Sequence, residues 1–381
     1  STMAVIDHDF GNGLTVKNST MYADYNRAYT NVYPGTAAPI TGPDTGSMSL
    51  SAYRNETDRE NLFNQTDFTY KTYTGPVFHT LAFGTEFGRQ TGLSLRDTGI
   101  FASTGLNTSE IINPFNPTYF GAVHFIHHFQ NINYPDGVKS ADAFSKYRLN
   151  ISSAYVQDQI DVTRWLQLIG GARFDRFDMT ALDQNTGITR NRVDDKVSPR
   201  AGIIFKPADN MSIYGAYSIS YLPSSGDQFS ALNDGTLILE PQKFENTEFG
   251  FKWTINPKLL LTSAIYELNR TNQPITDPVR GSPFVLPDGA SKTRGFEAAL
   301  NGYVTNEWQS ILGYAYTDAK ITKNLSTTVV AGNRVQLVPY NQFSWWNKYQ
   351  LNPQWAAALG VIYLGDSYAS SDDSVKLPGF V

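Results

Sequence analysis

Between Gln242 and Ile321 the chain alternates large apolar residues with small or polar ones, four times over, and this rhythm leaves few folds open. In FENTEFGFKWTI, Thr247, Phe249, Phe251 and Trp253 share one side, while Glu248, Gly250, Lys252 and Thr254 share the other. In WQSILGYAYTDAKI, Trp308, Ser310, Leu312, Tyr314 and Tyr316 oppose Gln309, Ile311, Gly313, Ala315 and Thr317. LLLTSAIYELNRTN and KTRGFEAALNGYV keep the same beat. A period of two belongs to the β-strand, whose successive side chains point to opposite faces. The connections carry a second signal. Asn256-Pro257 and Thr305-Asn306-Glu307 are tight turns, whereas about 20 residues rich in Pro, Gly and Asp separate Thr271 from Lys292. Short turn, long loop, short turn predicts an all-β chain folded as an antiparallel up-and-down barrel with two unlike ends.

Composition supports a barrel in a membrane. No stretch approaches the roughly 18 apolar residues of a helical span. A barrel strand gives only half its residues to lipid, so the negative mean hydropathy is no objection. Tyr (22) and Phe (23) far outnumber Met (5), which suits strands and interfacial girdles. The chain has no cysteine, so disulfides, thiolate zinc sites and cysteine nucleophiles are all excluded. A net charge of −5 offers no basic footprint, and no nucleic-acid partner is expected. The chain opens at Ser1-Thr2-Met3 and stops at LPGFV, just as a strand begins, so it reads as the middle of a longer protein.

The same rhythm extends in both directions. Gly11-Asn12-Gly13, Thr74-Gly75-Pro76, Asp161–Arg164, Pro207–Asn210 and Asn352-Pro353 are the short turns. Long outer loops are expected at roughly residues 31–47, 92–146, 181–196, 223–241, 272–291 and 322–336, with about 15 strands between the connections. A loop as long as 92–146 counts against a compact soluble domain but is ordinary at the outer face of a barrel. A propeller would show a blade motif at a fixed period, and none recurs. A soluble sandwich would bury its aromatic faces, whereas Trp253, Trp308 and Tyr221 stand at strand ends, as interfacial belts require.

Several segments resemble one family. AYVQDQIDVTRWLQLIGGARFD, SPRAGIIFKPADNMSIYGAYSISYLPS, LEPQKFENTEFGFKW, SAIYELNRTN, TRGFEAALNGYVTNEWQSILGYAYTDAKI and VPYNQFSWWNKYQL resemble the barrel of TonB-dependent siderophore receptors, in family order. DHDFGNGLT and HTLAFGTEF add a looser match near the start. The flavour is closest to the catecholate type. The resemblance implies a bacterial outer-membrane barrel of about 22 strands, of which this chain supplies the middle, without the plug, the TonB box or the terminal strands. It implies uptake of a ferric siderophore with energy from the TonB–ExbB–ExbD complex, acting through the plug. Outer-membrane lipid and lipopolysaccharide are the expected surroundings, and a monomer the expected state. No cofactor is implied, since iron enters only within its chelate. A passive porin, an adhesin or phage-attachment barrel, or uptake of cobalamin or a glycan are the alternatives.

Such a receptor captures its cargo without covalent chemistry. Ferric siderophores are commonly anionic or neutral with flat faces, so Arg, Tyr, Phe, Trp and His in outer loops are the useful types. The run Tyr119–Phe129 is the strongest candidate, with Tyr119, Phe120, His124, Phe125, His127 and His128 as ligand contacts; its bland alternative is packing of the loop against neighbours. Tyr33, Phe229, Arg280, Phe284 and Arg334 are further outer-loop candidates. His127 and His128 could ligate a metal, but adjacent histidines without nearby carboxylate or cysteine support have poor metal spacing, and no metal site is assigned. Arg173, Arg176 and Lys252 are expected on or near the lumen wall. No G-x-S-x-G or phosphate loop occurs, and the pairs Asp194-Asp195 and Asp372-Asp373 read as solvated surface, so no catalytic residue is expected.

Overall fold

The alternating segments become the strands of one antiparallel sheet. The structure, a computed structural model, describes residues 1–37, 46–102, 109–119, 121–127, 142–223, 232, 234–276 and 285–381. The first strands are β1 (Thr2–Asp9), β2 (Leu14–Ala37), β3 (Met48–Thr74) and β4 (Val77–Phe101). Two short strands follow, β5 (Ser109–Ile112) and β6 (Val123–Phe125). Then come β7 (Ala143–Thr163), β8 (Leu166–Asp183), β9 (Thr189–Ala208) and β10 (Met211–Leu222). A single helical turn, α1 (Asp234–Leu237), precedes β11 (Gln242–Asn256), β12 (Leu259–Thr276), β13 (Val285–Tyr303) and β14 (Trp308–Lys323). The chain closes with β15 (Asn341–Gln350), β16 (Ala356–Leu364) and the two-residue strands β17 (Ser367–Tyr368) and β18 (Lys376–Leu377).

Leaving β5 and β6 aside, β1 to β16 pair in chain order, fourteen strands in an unbroken meander. The strand expected to begin at LPGFV is represented by one bridge, between Leu364 and Phe380. Among the described residues no helix is long and apolar enough to cross a membrane, and crossing falls to the strands.

Register converts the alternation into two chemically opposite faces. On one, Phe249 faces Ile265, Ile265 faces Phe296 and Phe296 faces Tyr316. The same face continues through Phe68, Phe83, Val156 and Ala172. Most of these side chains are exposed: Phe249 and Ile265 are 55% exposed and Val156 52%. A continuous band of open apolar surface is what hydrocarbon covers in a barrel. Near the short turns Tyr73, Trp165, Tyr303, Tyr349 and Trp355 are exposed and supply the inner aromatic girdle. Trp253 and Trp308 share the lipid-facing parity at that end, and Tyr221 lies at the other.

The opposite face is ionic. Arg173 donates to Glu86 at 3.0 Å and to Asp175 at 2.7 Å, Ser153 donates to Asp175 at 2.6 Å, and Tyr155 donates to Asp67 at 2.5 Å. Charges so disposed belong to a wet lumen. A Cβ on Gly84 would stand 2.9 Å from the Tyr155 ring, so glycine there lets the ring lie across β4 to reach Asp67. Arg173 and Lys252 line the lumen as expected. Arg176 does not. It shares the parity of Phe174, points outward and pairs with Asp195 at 3.0 Å.

Four of the six outer connections are shorter than the sequence suggests, while the one between β14 and β15 spans 324–340 rather than 322–336. Of the stretch 181–196, Thr189 onward is strand β9, leaving residues 184–188 as the connection. β2 runs to Ala37, β4 to Phe101, β12 to Thr276, and β13 begins at Val285. Above the bilayer a strand needs no apolar face, only a backbone partner, so its sequence is polar and reads as loop. Only residues 223–241 match their expected bounds closely.

Candidate functional site

β2 and β3 form a hairpin that stands far above the membrane. Tyr29 lies fifteen residues beyond Leu14, about 50 Å of strand against a lipid-facing band about 25 Å tall. On the lumen-facing parity of that extension, β2 carries Tyr25, Arg27, Tyr29 and Tyr33. The same face of β3 carries Tyr53 and Arg59, that of β4 carries Arg96, and that of β7 carries Tyr147.

The arginines lie against the rings. The Arg96 guanidinium stands 3.8 Å from the centre of Tyr53, Arg27 5.1 Å from Tyr29, and Arg59 5.7 Å from Tyr25 and 5.9 Å from Tyr147. Tyr29 and Tyr33 each meet Tyr53 edge-on at 5.8 Å. The Arg59 Nε donates to the Tyr147 hydroxyl at 2.9 Å. That bond depends on Gly92, because a Cβ there would stand 2.5 Å from the Tyr147 ring, which lies across β4. Tyr147 is anchored from behind by Leu149, Met179, Ala181 and Leu232, the last reaching in from the β10–β11 connection.

None of Arg27, Arg59 and Arg96 is in an ion pair among the described residues; their charge is met only by π faces and a phenol. A guanidinium on an aromatic face keeps donors in its plane for an incoming anion. The Asn31 amide and the Tyr29 hydroxyl, both hydrogen-bonded to the Tyr53 oxygen, hold the Tyr53 phenol below its ordinary range, and the same bond raises Tyr29. The mouth therefore offers positive charge and flat rings together, suited to an anionic chelate with aromatic or planar donor groups.

The residues singled out from the sequence divide. Tyr33 belongs to the cluster, and His124 shares its face, paired with Ile100 across β4 and β6. Tyr119 and Phe125 do not face the mouth. They pack with Leu50, Ala52, Phe101 and Ile112 on the other face of the β3–β4 hairpin. Burial of these rings is the stronger drive, because β5 and β6 extend the hairpin edges and create a second small core there. His127 turns to the same back side and meets Asp97 and Asn185. Arg334 is buried, lies 3.7 Å from the Tyr340 ring, donates to the Val338 carbonyl at 2.8 Å and stands 3.8 Å from Asp366 Oδ2, so its guanidinium is engaged within the protein rather than at the mouth. Phe120, His128, Phe229, Arg280 and Phe284 lie outside the described residues.

Sequence reasoning missed Tyr25, Arg27, Tyr29, Tyr53, Arg59, Arg96 and Tyr147. It sought ligand contacts in loops, whereas these stand on strands. The signal was present as aromatic or Arg at 25, 27, 29 and 33, a period of two in a stretch too polar for lipid.

A family model described as TonB dependent receptor-like, beta-barrel matches residues 1–381. The chain belongs to the TonB-dependent receptor β-barrel family. Its members are outer-membrane barrels, which accords with the lipid-facing band. A probable TonB-dependent siderophore receptor, PiuA of Acinetobacter baumannii, is 27% identical over 99% of this chain and 52% of its own length. The catecholate siderophore receptor Fiu of Escherichia coli K12 is 26% identical over 98% of this chain and 51% of its own. Crystal structures of the two superpose with TM-scores of 0.81 for PiuA (24% identity) and 0.79 for closed Fiu (21% identity), covering 99% of this chain and 56% and 55% of theirs. The chain thus spans about half the length of the curated relatives it matches.

Proposed function

We propose that this TonB-dependent receptor barrel serves the uptake of a ferric siderophore, and that the tyrosine–arginine mouth is where the chelate first binds. The observation that carries this reading is the trio Arg27, Arg59 and Arg96, stacked on tyrosines at the lumenal entrance without carboxylate partners among the described residues. A catecholate complex of iron is polyanionic and aromatic, so each ring would find a ring and each charge a guanidinium. The named likenesses to a catecholate receptor and a siderophore receptor support the same cargo class.

Energy would come from TonB–ExbB–ExbD through a plug elsewhere in the parent protein. The barrel would act as a monomer in outer-membrane lipid. On its outward face Arg89, Arg148 and Lys146 stand near one another across β4 and β7, at the height of anionic lipopolysaccharide headgroups. The test is growth of an iron-starved host on a panel of ferric chelates. Growth on catecholates that needs both the parent gene and TonB supports the proposal. Gene-dependent uptake of cobalamin or a glycan instead, or uptake indifferent to TonB, contradicts it.

A further inference from the structure

One tier below the stacked arginines, the lumen-facing wall carries two buried carboxamides. Asn61 pairs with Ala23 on β2 and with Gln90 on β4, and Gln90 pairs with Leu149 on β7. Each of these positions is two residues closer to the membrane than Tyr25, Arg59, Gly92 or Tyr147 on the same strand, and shares its face. Asn61 is 8% exposed and Gln90 7%. The tier beneath them is apolar, with Met21, Phe63, Ile151 and Phe177 at the corresponding positions. A Cβ on Gly88 would stand 2.4 Å from the Phe63 ring, so that ring lies across β4 and floors the step under Gln90.

The two amides are not equally satisfied. Gln90 Nε2 donates to the Tyr147 hydroxyl at 3.4 Å, the oxygen that also accepts from Arg59 Nε at 2.9 Å. Asn61 Oδ1 is out of solvent and has no hydrogen-bond partner. A buried carbonyl left unpaired costs stability, and folded proteins keep few of them. An apolar side chain above the same floor would carry no such penalty. What Asn61 lacks is a donor, and the cargo can bring one.

Catechols lose their protons on binding iron, so the anionic rim of a ferric complex holds only acceptors and suits the guanidiniums of Arg27, Arg59 and Arg96. Its N–H donors lie in the backbone that joins the catechol arms. We infer that Asn61 is a specificity-determining residue that accepts a hydrogen bond from an amide N–H of the siderophore backbone. The inference rests on the binding of a ferric catecholate at the mouth, and it fixes how the chelate lies. The rim meets the stacked arginines and the backbone meets the apolar step. No hydrogen bond holds Oδ1, so the carboxamide turns its oxygen to an arriving N–H without breaking one. Such an acceptor discriminates against analogues that lack the donor, because they leave it buried and unpaired.

The test uses ferric complexes of two synthetic tris-catechols that differ only in the backbone, amide-linked in one and ester-linked in the other, so that oxygen replaces each backbone N–H. Equilibrium binding to the intact receptor in detergent is read by fluorescence quenching for the wild type, Asn61→Leu and Asn61→Ala, with urea unfolding of each. The wild type is expected to prefer the amide chelate about 5- to 100-fold. Each variant is expected to bind the two chelates within about twofold of each other, and at least one to unfold at a urea concentration no lower than the wild type, since an unpaired carbonyl has been removed. The unfolding result separates a ligand contact from a structural hydrogen bond, whose loss lowers the midpoint in both variants. The inference is overturned by a wild type that binds both chelates alike, by variants that keep the preference, or by loss of stability in both. If the wild type binds both alike and the combined Arg27→Ala, Arg59→Ala and Arg96→Ala variant loses both, Asn61 falls and the mouth stands. Binding of neither chelate to the wild type removes the mouth and Asn61 together.

Discussion

At the mouth of the barrel a few side chains carry the chemistry and their neighbours only place them. Arg96 over Tyr53 is the tightest of the stacked pairs. An exposed cation–π contact is worth about 0.5–1 kcal/mol and a desolvated one about 2. Arg96→Ala is therefore expected to weaken chelate binding about 3- to 30-fold, with barrel assembly unchanged, as read by fluorescence quenching and heat-modifiable mobility. Gly92→Val reaches the same mouth indirectly, since it pushes Tyr147 off β4 and breaks its bond to Arg59. It should lower affinity while Gly170→Val, which meets open space on the lipid-facing side of β8, leaves affinity alone. The lowered Tyr53 phenol adds a pH dependence. Once ionised it repels an anionic ligand, so affinity should fall on the alkaline side, starting below the ordinary tyrosine range. Asn31→Ala removes the bond that lowers Tyr53 most and should move that fall to higher pH. Little of this was legible beforehand: Tyr33 was found because it falls in the outer loop expected at 31–47, and Arg59 was missed because polar strand and loop look alike in sequence.

At the scale of the strand, alternation decides almost everything. Phe249, Ile265 and Phe296 line up across three strands on the side open to hydrocarbon. Phe249→Arg is expected to cost about 2–4 kcal/mol at that depth, whereas Lys252→Ala, on the lumen parity of the same strand, should cost well under about 1 kcal/mol. Urea titration in lipid vesicles distinguishes the two; equal costs would mean that both faces are wet. This much the sequence did show, since period two survives without knowledge of the partner strand. What it hid was where each strand stops. Thr189–Val193 pairs with Asp178–Leu182 beyond the apolar band, held by the ladder and by side-chain contacts such as the Thr180 hydroxyl donating to Asn191 Oδ1 at 2.9 Å. Amides across that pairing should exchange slowly, and rapid exchange at Thr189–Val193 would restore the loop that the sequence suggested. Within Tyr119–Phe129, Tyr119 and Phe125 misled for a related reason. An aromatic run in an outer connection looks like a binding surface until β5 and β6 give it a small core to pack on.

Across the whole molecule the two faces assign the surroundings. The apolar band meets lipid, the ionic wall around Arg173 lines the lumen, and the extended β2–β3 hairpin lifts a cationic, ring-lined surface into the medium. Charge on that surface also steers an anionic chelate toward it, so salt should slow association more than dissociation. Equilibrium binding of a ferric catecholate to the intact receptor is the most direct measurement, made on the wild type and on the combined Arg27→Ala, Arg59→Ala and Arg96→Ala variant, with both shown to be folded barrels. A loss of affinity of about a hundredfold or more is expected if these guanidiniums meet the chelate. Unchanged affinity in a folded triple variant would place the chelate elsewhere and contradict the mouth as its binding site.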